Sequence, residues 1–182
     1  MTVLGLGLYY RLDQVHIYSG ITRMTTLKST AFDDLEIGTE GKFSKTLSER
    51  DIVLFGETSG DINPMHFDEG YASQTMFEGR IAHGLWSAGL ISTCIGIVMP
   101  GPGSIYMGQE LAFKLPVRIG DTLTATVTVK QKNEKRRFVV IDCQVRNQDG
   151  KVVVCGDAKV RPPAVSGEVE APELPVVQVE LG

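Results

Sequence analysis

The chain has 182 residues, 42% of them hydrophobic and 22% charged, with a formal net charge of -4 at pH 7. That make-up fits one soluble globular domain with trimmings and excludes a wholly disordered or collagen-like chain. Beyond Lys135, Arg136 and Arg137 there is no basic cluster, so nothing marks a nucleic-acid binder.

The first 32 residues have no clean hydrophobic period and read as an N-terminal extension, within which Met24 offers an alternative start. Arg11 and Asp13 interrupt the opening apolar run, and no small-residue cleavage pattern follows, so no signal peptide is expected. A strand is expected at about 40 to 46. Ser48 with Asp51 three residues on forms a capping box ahead of Ile52, Val53, Leu54 and Phe55, which predicts a helix over 49–58 ending at Gly60. Asn63 is then a second N-cap with Pro64 at the first helical position, where the missing N–H costs nothing, and the short turn that follows carries His66.

Residues 84–99, GLWSAGLISTCIGIVM, are apolar on nearly every face and stop at PGPG. The run is shorter than the ~18 residues that would mark a membrane span, so it reads as a helix buried on all sides. Everything after it looks extended. SIYMGQELAFKLPV, DTLTATVTVKQK, RFVVIDCQVRN and KVVVCGDAKVRP alternate apolar with polar residues and are rich in β-branched side chains, which predicts four successive antiparallel strands. The last stretch, 163–182, mixes prolines with acids and reads as a mobile tail, leaving a domain over 33–162. Cys94, Cys143 and Cys155 are odd in number and set in apolar runs, which suggests reduced thiols in the core of a cytoplasmic protein, with neither disulfides nor a zinc site. The pieces together predict an α+β arrangement: a curved antiparallel sheet around one hydrophobic helix, with a second copy covering what the sheet leaves bare.

In SGDINPMHFD, residues 59–68, Pro64 disfavours a helical Asn63, so the chain bends and Asp61 and His66 converge. A carboxylate and an imidazole a water's width apart can share that water and trade protons with a substrate, histidine being suited by its ordinary pKa of ~6.5. The alternative is purely structural, with Asp61 capping the turn and His66 bonded to a main-chain carbonyl. In RIAHGLWSAG, Gly84 opens the apolar helix, where free N–H groups favour developing negative charge; its alternative is relief of crowding against the sheet. His83, just before the helix, either supports the pair or simply caps or packs. Ser92 either bonds within the site or back to its own helix, and Trp86 either walls an apolar pocket or fills core. There is no nucleophile elbow, dinucleotide fingerprint, phosphate loop or H-E-x-x-H, and one histidine among Asp61 and Asp68 is too little for a metal, so no cofactor is expected.

The motifs SGDINPMHFD, IAHGL and PGPGSIYMGQELAFKLPVRIGD, in that order, resemble the MaoC-like hydratases, and within them the (R)-specific enoyl-CoA hydratases of the PhaJ type, over about residues 33–162. The resemblance implies a hot-dog fold, a homodimer, an acyl-CoA substrate and hydration of a trans-2-enoyl-CoA. It implies that Asp61 and His66 are the catalytic pair, Gly84 the backbone donor to the thioester oxygen, Asn63 the loop-fixing residue and Ser92 a supporting serine. Met65 and Trp86 are expected in the acyl pocket, and Trp86 departs from the smaller aliphatic residue usual in the family. The rival readings are a thioesterase on the same fold, disfavoured because 85–99 holds no Asp or Glu, and a noncatalytic acyl-binding protein.

Overall fold

The computed structural model describes residues 26–180. Six of its eight strands build one antiparallel sheet: β2 (Glu40–Thr46), β3 (Ile105–Gln109), β4 (Ala112–Phe113), β5 (Thr122–Asn133), β6 (Phe138–Arg146) and β7 (Val152–Arg161). Their order is β2-β5-β6-β7-β3, with β4 also on β7. Strict alternation along β5 and β6 sends Leu123, Ala125, Val127 and Val129 inward opposite Val139, Ile141, Cys143 and Val145, and the register aligns Ala125 with Val145, Val127 with Cys143 and Val129 with Ile141. Register shifts after Val129 and Val145 mark where the ladder bends.

α4 (Gly84–Ile97) lies in the hollow of this sheet, burying Trp86, Leu90, Ile91, Cys94 and Ile95. Burial pushes the thiols of Cys94 and Cys143 up to about 12, so both stay protonated. Within one chain α4 is not buried on all sides, and the bare part is the part the sequence reading gives to a second copy. Leu85 is 62% exposed, and Gly89 and Ser92 on the same stripe are exposed too, because the sheet closes around only part of the helix.

The helices before α4 are α1 (Glu49–Ser59), α2 (Pro64–Phe67) and α3 (Glu69–Ala72), the last not foreseen. α1 has the expected reciprocal capping box between Ser48 and Asp51 and closes at Gly60, which is left-handed.

Three further differences concern strands. The single expected strand over 104–117 is two, β3 and β4, because the chain crosses over Gly156 of β7 between them. Nor are the four strands neighbours in succession: β5, β6 and β7 follow one another, while β3 and β4 take the far edge of β7. Finally, the expected tail contains β8 (Gly167–Glu170), paired antiparallel with β1 (Thr26–Ser29). This ribbon and the turn after it bury Leu27, Ala31 and Phe32, so the domain begins before residue 33. The Ser166 hydroxyl accepts from the Ala31 N–H at 2.8 Å and donates to the Asp34 carboxylate. Residues 1–25, Met24 among them, lie outside the described part. Among the described residues no helix is long and apolar enough to cross a membrane.

Candidate active site

The turn from α1 into α2 is built by its own polar side chains. The Asn63 side-chain oxygen Oδ1 accepts the Met65 N–H at 3.1 Å, with Pro64 at the first helical position, as the sequence predicts. The same asparagine's main-chain N–H donates to Asp61 Oδ1 at 3.2 Å, and the Asp61 N–H donates to the Ser59 hydroxyl at 3.2 Å. Asp61 is thus held in place while its side chain stays 50% exposed.

His66 is buried, and its Nδ1 lies 2.8 Å from the Ile81 carbonyl oxygen. A carbonyl only accepts, so Nδ1 carries the proton and the lone pair of the neutral ring sits on Nε2. Nε2 faces Asp61 Oδ2 at 3.9 Å. That gap is too long for a direct hydrogen bond and matches the span one water covers when it donates to both atoms. The two alternatives offered for His66 are therefore not exclusive: one ring nitrogen is bonded to the main chain and the other faces the acid.

His83 stacks on His66 with ring centroids 3.8 Å apart. It is 2% exposed, and its Nε2–H donates to the Asp61 main-chain oxygen at 2.9 Å. Burial lowers its pKa; the bond to Asp61 works the other way, and the neighbouring His66 adds repulsion. His83 therefore packs and supports Asp61 at once, and it caps no helix end with its side chain. Asp61, His66 and His83 each offer a ligand atom within 4.8 Å of the others, a spacing a cation could bridge.

Gly84 is the first residue of α4, and among the described residues its N–H meets no acceptor. A Cβ there would come 3.0 Å from Cε1 of Phe113, whose ring lies over the helix start. Crowding and an open donor thus coexist at Gly84. Ser92 sits two turns further along α4, about 12 Å by helix rise, exposed and with its hydroxyl unbonded among the described residues; Thr93 is the residue whose side chain bonds back to the helix, to the Gly89 carbonyl at 3.0 Å. Trp86 is buried in the core, with the Lys45 ammonium 5.9 Å from its ring centroid. Met65 is half-buried on α2 next to His66. A concavity of about 580 Å³ lies between Lys42, Thr126, Asp142 and Arg146 on the outer face of the sheet and holds none of these residues.

Two contributors escaped the sequence reading. Phe113 alternates like any strand residue, and its contact with Gly84 arises only from tertiary packing. Arg80 donates from Nε to the His66 carbonyl oxygen at 2.7 Å and from Nη2 to Glu49 Oε1 at 2.6 Å. Only its place four residues before Gly84, in the RIAHG stretch, hinted at it.

An antiparallel sheet curled around one helix, with a carboxylate and an imidazole beside the helix start, defines a hot-dog protein of the hydratase type. The chain belongs to the MaoC-like family: the MaoC like domain matches residues 34–150. It is 50% identical over 135 residues to the (R)-specific enoyl-CoA hydratase of Rhodospirillum rubrum, covering 73% of this chain and 92% of that one. It is 43% identical over 137 residues to the 3-hydroxybutyryl-CoA dehydratase of Methylorubrum extorquens, covering 75% and 87%. The R-hydratase PhaJ1 of Pseudomonas aeruginosa superposes with a TM-score of 0.80 at 41% identity, over 85% of this chain and 99% of that one.

Proposed function

We propose that this protein adds water to trans-2-enoyl-CoA to give (R)-3-hydroxyacyl-CoA and catalyses the reverse dehydration. The observation that carries the reading is the fixed tautomer of His66, with its Nε2 lone pair aimed at the Asp61 carboxylate across a water-sized gap. Family membership and the names of the relatives support it.

In this mechanism a water held between Asp61 and His66 gives up a proton to one of them as its oxygen bonds to C3. The C2=C3 electrons move toward the thioester, and the pair returns a proton to C2 on the same face. The elements of water add across the double bond and no co-reactant is consumed. The Gly84 N–H stabilises the enolate-like thioester oxygen, a donor role worth about 100- to 1,000-fold in rate. Asn63 and His83 serve the pair by holding Asp61 at its side chain and its carbonyl.

The test is loss of the conjugated-thioester absorbance of crotonyl-CoA on adding the protein, with chiral analysis of the product. Rapid loss giving the (R)-alcohol is expected. Release of free thiol without hydration would instead support the thioesterase, and no change in either signal the binding protein.

The same reading includes a homodimer. The stripe of α4 around Leu85 is bare, and the edge strand β3 carries exposed Ile105, Tyr106 and Met107, an apolar edge with unpaired main-chain groups that a second copy would cover. Light scattering should return the mass of two chains, or of a multiple of two; a lone chain at working concentration would refute the pairing.

A further inference from the structure

We infer that Arg80 is a positioning residue for His66, an inference that rests on the reading above in which His66 handles the proton. α2 is a single turn of four residues, and a lone turn cannot hold its own shape, because nucleating a helix fixes many dihedrals for one hydrogen bond. The backbone of His66 therefore has to be held from outside. Arg80 does this with the side edge of its guanidinium: Nε–H to the His66 carbonyl at 2.7 Å and Nη2–H to Glu49 Oε1 at 2.6 Å, with the side chain only 19% exposed. One planar group thereby fastens α2 to the first residue of α1.

The next residue completes the clamp. The Ile81 carbonyl takes the His66 Nδ1 proton at 2.8 Å, and the Ile81 N–H donates to the Met65 carbonyl at 3.3 Å. The dipeptide 80–81 thus grips His66 by ring, by carbonyl and by the preceding peptide. Its own backbone is tied down in turn, since the Arg80 N–H donates to Glu69 Oε2 at 3.2 Å at the head of α3. Asp61 depends on none of these contacts, because its anchors are Ser59, Asn63 and His83. Loss of the Arg80 donors consequently moves one member of the pair and leaves the other, which changes the spacing that has to fit the water.

A displacement of that kind, of about 1 Å, costs on the order of 100-fold in rate. The experiment measures kcat and KM for crotonyl-CoA hydration by the full chain and by Arg80→Met, Arg80→Lys, Glu49→Gln and Asp61→Asn, with elution volume and melting temperature for each. Arg80→Met, similar in length but without donors, should lose roughly 10- to 100-fold in kcat with KM within about twofold. Lysine has charge and reach for one acceptor but not both, so Arg80→Lys should recover part of the loss. Glu49→Gln, which leaves the Nε bond to His66 in place, should lose least.

A purely structural salt bridge would lower the melting temperature of Arg80→Met and Glu49→Gln alike and leave kcat of the folded proteins alone, and that result overturns the inference. If Arg80→Met does not fold, Arg80→Lys decides: a lowered kcat at unchanged elution supports the role, and a wild-type kcat refutes it. A wild-type protein that does not hydrate crotonyl-CoA, or an Asp61→Asn variant as fast as wild type, overturns the hydratase reading and this inference with it. An active wild type with a crippled Asp61→Asn and an unaffected Arg80→Met removes the inference alone.

Discussion

Asp61→Asn is expected to reduce kcat for crotonyl-CoA hydration by about 100- to 10,000-fold, the range for losing a positioned acid-base group, with little change in melting temperature. The separation of the two effects follows from the site. Asparagine has the size of aspartate, and its side-chain oxygen can still accept the Asn63 N–H that now reaches Asp61 Oδ1 at 3.2 Å. The bond from His83 Nε2 goes to the main chain and is indifferent to the substitution. Because the carboxylate is 50% exposed and has no lysine or arginine against it among the described residues, its loss strands no buried charge. On the proposed mechanism, what disappears is the ability to take a proton from, or give one to, a water between it and His66. Steady-state kinetics with a parallel thermal melt checks both halves, and a rate within about tenfold of wild type would remove Asp61 from the chemistry.

The parts of this site that were legible in the sequence are those whose partners lie a few residues away. Ser48 and Asp51 close their box across one turn, and Asn63 caps the very turn that Pro64 begins, so local rules placed Asp61 and His66 on one bend without tertiary information. The alternation of β5 and β6 announced their inner faces equally plainly. What stayed hidden depends on contacts across long separations. Ile81 acts on His66 through its carbonyl, which no side-chain pattern encodes, and Arg80 bridges back to Glu49 across 31 positions. The acidic, proline-bearing composition after Pro163 suggested a tail, yet four residues there pair with β1 through main-chain groups that composition does not reveal. Helix α4 is a different case. Its apolarity on every face asks for cover all round, and within one chain the sheet covers only part of it.

Gly156→Ala should cause a large loss of stability, about 3 kcal/mol or more. A Cβ at this position would sit 1.9 Å from the Glu110 carbonyl oxygen and 2.8 Å from its carbon, separations no real pair of atoms adopts. The opposing atoms are backbone and cannot swing away. The Glu110 N–H is bonded to the Asp157 carbonyl at 3.0 Å, and the pairs Gln109 with Ala158 and Ala112 with Cys155 pin the crossing chain on either side. Relief therefore requires the edge run of β3 and β4 to leave β7, which exposes ladder groups and lifts Phe113 from Gly84. For a domain of this size the melting temperature should fall by roughly 6–12 °C. Gly150→Ala is the control. Gly150 also has a positive φ, +75°, but nothing lies within 4 Å of the added carbon, so only the backbone cost of about 1–2 kcal/mol applies. Equal shifts for the two variants would mean that conformational preference alone, and not the crossing, makes residue 156 a glycine; a shift at least twice as large at Gly156, with hydratase activity lost in step, ties the split edge of the sheet to the geometry over the start of α4.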